Sequence, residues 1–146
     1  MIEQPVNNKN LLVHLLSAFP ELQESYQVEF QEWSRDEPPG NYIIVGTVFT
    51  PRFEQDIATG RLTDFLRRSA EFFERVCTSG DDEAVNVIWI RVFERLIFQP
   101  TGLKLLWPIL GTETKKRIRD AAQRWSEAAR YFGHTEGLAS ENLPPE

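Results

Sequence analysis

The chain has 146 residues, 41% apolar and 26% charged, which suits one domain with its own core and excludes a disordered or fibrous protein. Acidic residues outnumber basic ones 22 to 16, a net charge of −6 that disfavours gripping nucleic acid by bulk charge. One cysteine and two histidines can neither close an intramolecular disulfide nor fill a structural zinc site.

The first segment, 1–9, is polar and expected to be disordered, with Glu3 and Gln4 where a secretory signal carries basic residues. The apolar stretch from Leu11 to Leu16 is interrupted by His14 and leads to Phe19-Pro20 with no small-residue cleavage site. The longest apolar runs, 42–45 and 87–90, are four residues each, against the roughly 20 that a membrane span needs. With an unpaired Cys77, these features point to the cytoplasm and to no membrane partner.

Leu11, Leu12, Leu15 and Leu16 share one helical face, with Asn8 or Asn10 as the cap. Pro20 suits the first turn of a second helix, whose stripe is Leu22, Tyr26, Phe30 and Trp33, with Glu21, Glu24, Glu29 and Glu32 facing water. Asp36-Glu37-Pro38-Pro39-Gly40 breaks the pattern. Residues 42–49 read either as one short strand or, better, as a buried extended or helical connector, because a lone strand has no ladder partner. Thr50-Pro51 reads as a cap followed by proline at the first helical position, with Gly60 as the stop.

Thr63 caps the next predicted helix, whose Phe65, Leu66, Ser69, Phe73, Val76 and Cys77 line one face as far as Gly80. Asp81 or Asp82 then starts a helix over 82–99 with apolar residues on most sides, which makes it the central one. Thr112 is expected to cap a last helix with Ile118, Ala121, Ala122, Trp125, Ala129 and Phe132 inward, closed by Gly133. The segment 134–146 is expected to be a flexible tail. Short connections between consecutive helices predict an all-α single-domain bundle over 10–133, HEAT-like or orthogonal, with six or seven helices around 82–99. No second copy of the 63–99 hairpin recurs at a fixed period.

Chemistry is sparse. Cys77 sits on an apolar stripe, His14 within a leucine-rich helix and His134 beyond the last one, so local spacing brings no nucleophile and base together. Asp81-Asp82-Glu83 lacks the alternating oxygen ligands and central glycine of a calcium loop and reads as helix N-terminal charge. No Glu-x-x-His pair and no glycine-rich phosphate loop is present. No catalytic residue, metal site or cofactor is therefore expected. An enzyme with carboxylates gathered between helices is one alternative, since spatial neighbours need not be sequence neighbours. A nucleic-acid-binding regulator using the 115–130 helix is another, although Glu113, Asp120 and Glu127 interrupt Lys115, Lys116, Arg117, Arg119, Arg124 and Arg130. Protein binding is the leading expectation. Asp36 and Glu37 lie in a proline-stiffened loop ending at Asn41 and Tyr42, and with Asp81, Asp82 and Glu83 they form the candidate surface for a cationic protein partner.

Phe19-Pro20-Glu21-Leu22 with its aromatic stripe, the Asp81/Asp82-led helix ending Phe93-Glu94-Arg95-Leu96, and Leu110-Gly111 with Thr114 resemble a family of small uncharacterised helical bacterial domains. The likeness covers about residues 10–120, and some members look like immunity proteins encoded beside secreted toxins. The resemblance implies a non-enzymatic inhibitor that occludes a toxin's working surface, and it carries over no functional residues.

Overall fold

The computed structural model describes residues 4–33 and 39–145, which form a single all-α domain of seven helices with no strand. Helix α1 (Leu11–Ala18) and a tight turn (Pro20–Leu22) lead into α2 (Gln23–Gln31). The α2 stripe is weaker than its spacing predicts: Leu22 is buried, Tyr26 and Phe30 are half-buried, and Trp33 is exposed. Glu21 is exposed, as expected, and it also accepts hydrogen bonds from Arg68.

Helix α3 runs unbroken over 41–58, so the 42–49 stretch is helical. Its buried Ile44, Val45, Val48 and Phe49 recur at helical spacing. Thr50-Pro51 accordingly lies in mid-helix and starts nothing. Proline offers no N–H to the preceding turn and its ring presses on the carbonyl four residues back. The chain answers with a wider π turn over Val45–Phe49, immediately before Pro51.

Helix α4 (Asp64–Thr78) begins as its sequence predicts, with Thr63 Oγ1 accepting from the Leu66 N–H at 3.2 Å. Gly80, at φ 81°, ends the hairpin turn. Helix α5 (82–96) is the central one, with Val85, Val87, Ile88, Val92, Phe93 and Leu96 buried, and it contains a second π turn at Trp89–Phe93. Helix α6 (Pro100–Leu106) precedes α7 (Thr112–Tyr131). The heart of the molecule is a phenylalanine cluster in which Phe19, Phe49, Phe53, Phe65, Phe72, Phe73 and Phe93 meet through ring centroids 4.8–5.8 Å apart.

The last helix departs from expectation at both ends. Thr112 makes no side-chain cap; the Glu74 carboxylate of α4 takes that role, accepting from the Thr114 N–H and Oγ1 at 2.8 Å each and from the Glu113 N–H at 3.3 Å. Gly111 leaves the space that this carboxylate fills. Ile118, Ala121 and Ala122 are fully buried, but Trp125 is 44% and Phe132 75% exposed, because the stripe outlasts the body it packs on. The terminal segments, expected to be loose, carry buried side chains where they are described: Val6 at one end, Leu138 and Ala139 at the other. The Ser140 N–H donates to Ser126 Oγ at 3.0 Å, tying the second segment along α7.

Candidate functional site

Residues 5–10 fold into a small knot. Asn7 Oδ1 accepts from the N–H groups of Lys9 and Asn10 at 2.9 and 3.0 Å, and Asn10 Oδ1 accepts from the Asn7 N–H at 2.7 Å. Asn10 is thereby drawn away from the capping role predicted for it, and it makes no cap bond to α1. The knot presents Asn8 to two other parts of the chain. Its N–H donates to Asp81 Oδ2 at 3.3 Å, and its backbone and side-chain oxygens accept from Asn41 Nδ2 at 2.7 and 2.9 Å. The second oxygen of Asp81 accepts from the Ala84 N–H at 3.0 Å and so caps α5.

Five of the seven candidate residues therefore gather at one end of the molecule, though not in one role. Asn41 and Asp81 spend their polar atoms holding the N-terminal knot, α3 and α5 together. Asp82 and Glu83 occupy the exposed first turn of α5 and line an open groove of about 600 Å³ with Asn7, Asn8, Lys9 and Gly80. Tyr42 is 37% exposed, its hydroxyl accepting from Asn86 Nδ2 at 2.6 Å. Asp36 and Glu37 lie outside the described residues. Asn8, expected only as a possible helix cap, and Asn86 were missed as site residues; Asn8 carries no signal for this role, whereas Asn86 interrupts an apolar run.

The titratable groups elsewhere are accounted for by packing. Burial pushes the Cys77 thiol up to about 12, against the neighbouring Thr114 and the Arg117 charge, which favour the thiolate; at neutral pH it is a protonated core side chain. His14 Nδ1 lies 2.7 Å from Arg75 Nη2 and must be the acceptor there, because a guanidinium only donates. Arg95 holds the Glu54 carboxyl below the usual glutamate range, and Arg68 does the same for Glu21. Among the described residues, no group of three or more His, Cys, Asp or Glu side chains could hold a metal ion. No helix among them is long and apolar enough to cross a membrane. The bases of α7 sit over the protein's own indoles, Lys115 and Arg119 on Trp107 and Arg124 on Trp89.

A family model described as a domain of unknown function (DUF7674) matches residues 12–126. The chain belongs to that family. The matched span runs from α1 to Ser126 and contains Asn41, Tyr42, Asp81, Asp82 and Glu83, while the Asn7–Asn10 knot that ties them together precedes it. No curated protein and no solved structure matches the chain.

Proposed function

We propose that this protein is a non-enzymatic binding domain acting in the cytoplasm, which occludes a cationic protein surface with the face formed by Asp82, Glu83 and Tyr42. Its specific form is a bacterial immunity protein that neutralises a toxin; that narrower reading leans on the sequence resemblance described above. The observation that carries the reading is convergence. Residues 8, 41 and 81, far apart in the chain, are hydrogen-bonded into one rigid platform, and the two carboxylates beside it have no ion-pair partner among the described residues. A rigid platform loses little entropy on docking, and an acidic one speeds encounter with a basic surface.

Site-specific photo-crosslinking in the native cell tests the reading. A crosslinker at Glu83 is expected to capture a basic protein that a crosslinker at Lys104 does not. Capture of the same proteins from both positions, or of none from Glu83, would contradict it.

A further inference from the structure

Helices α3 and α5 run side by side in the same direction, and their polar contacts form a ladder. Tyr42 pairs with Asn86, Thr50 Oγ1 lies 3.0 Å from the backbone oxygens of both Val45 and Arg91, and Glu54 takes Arg95 through two hydrogen bonds. One rung is incomplete. Between Tyr42 and Thr50 the guanidinium of Arg91 lies flat on Gly46, where an added Cβ would stand 3.1 Å from its Cδ and Nε. Nε is buried without an acceptor, and the terminal nitrogens, which reach solvent, have none among the described residues. A guanidinium has five N–H donors and no acceptor, and this one lies partly desolvated on a seam whose next arginine is paired with a carboxylate. The π turn that accommodates Pro51 and the second π turn, at Trp89–Phe93, meet at this rung.

We infer that the Arg91 rung is a binding site for a carboxylate supplied from outside the domain, received end-on by the two terminal guanidinium nitrogens. The Tyr42 hydroxyl, whose oxygen already accepts from Asn86, keeps its proton free to donate on the neighbouring rung. Gly46 is the positioning residue, since a side chain there would displace the guanidinium. This inference shares Tyr42 with the acidic-face reading but does not rest on it, because Asp82 and Glu83 play no part in the carboxylate site.

The test follows the Arg91 Nε–H resonance by NMR while acetate, inorganic phosphate or chloride is added to the full chain at constant ionic strength. The expected result is a saturable shift with acetate, none with chloride, and a melting temperature raised by acetate in the wild type. Arg91→Gln is expected to lose the acetate-dependent rise, and Arg91→Lys, which keeps the charge without the planar fork, to bind about tenfold more weakly. If the Gln variant fails to fold, the Lys variant decides alone. A response to phosphate but not acetate, an acetate effect that survives in both variants, or no saturable shift would each overturn the inference.

Discussion

Asp81 and Glu74 both cap helices, but from opposite relationships to them. Asp81 caps the helix that follows it directly, bonding the Ala84 N–H three residues on. Glu74 reaches from the last turns of α4 across to the first turn of α7, accepting from groups 39 and 40 residues away. The first caps from within its own turn, with its other oxygen left to take the Asn8 N–H at 3.3 Å. The second fastens two helices to each other, so its loss is felt in tertiary packing. Cys77, one turn beyond Glu74 and beside Thr114, is placed to report on that junction.

The largest effect is expected in thiol reactivity. With its pKa raised from 9.0 to about 12, Cys77 holds about a thousandfold less thiolate than an ordinary thiol, and burial hinders access further. Alkylation kinetics should show it nearly inert in the wild type and in Asp81→Ala, but markedly faster in Glu74→Ala, where the start of α7 frays. Equal rates in the two variants would erase the distinction between local and bridging caps. Stability comes next. Urea unfolding of Glu74→Ala is expected to show a loss of ~2–3 kcal/mol, since three partly buried donors lose a charged acceptor. Gly111→Ala should fall in the same direction, because its methyl group intrudes on the same carboxylate. Asp81→Ala should lose ~1–2 kcal/mol, the range of an N-cap, with the long bond from the Asn8 N–H lost as well.

The local device was legible and the bridging one was not, and the same division runs through the whole fold. Thr63 and Asp81, the glycine stops, the α4 stripe and the apolar central helix were visible because each depends on residues within one or two turns. The Thr112 cap was misplaced because the real acceptor lies in another helix. Thr50-Pro51 imitates a helix start, and only the π turn before it shows how a proline can be absorbed mid-helix. At the candidate site, the sequence offered Asp82, Glu83 and Tyr42 as partner-binding residues, and all three are exposed. Sequence reasoning could not see that Asn8 links Asn41 to Asp81, since side-chain amides at unrelated positions leave no spacing to read. Asn86 and Arg91 did carry a trace, as the polar interruptions of the apolar run 84–93.

The smallest effect expected is that of pH on the surface ion pairs. Arg95 and Arg68 depress the carboxyls of Glu54 and Glu21 in the folded state. Their contribution is therefore complete above the ordinary glutamate range and is lost as pH falls through the lower folded values. Both pairs lie at the surface and stay in part open to water, so each should be worth only ~0.2–1 kcal/mol. Acid titration of stability in Glu54→Gln should be slightly flatter than in the wild type, and the change should be smaller than the loss expected for Glu74→Ala.

The central claim is that this domain acts through the charge and contour of a rigid acidic platform. Its most direct test is the affinity of the partner captured at Glu83, measured for the wild type and for Asp82→Lys/Glu83→Lys as salt is raised. The account predicts wild-type binding that weakens steeply with salt and a double variant that binds poorly at every salt concentration, with its fold unchanged. Equal affinities and equal salt slopes for the two proteins would contradict it.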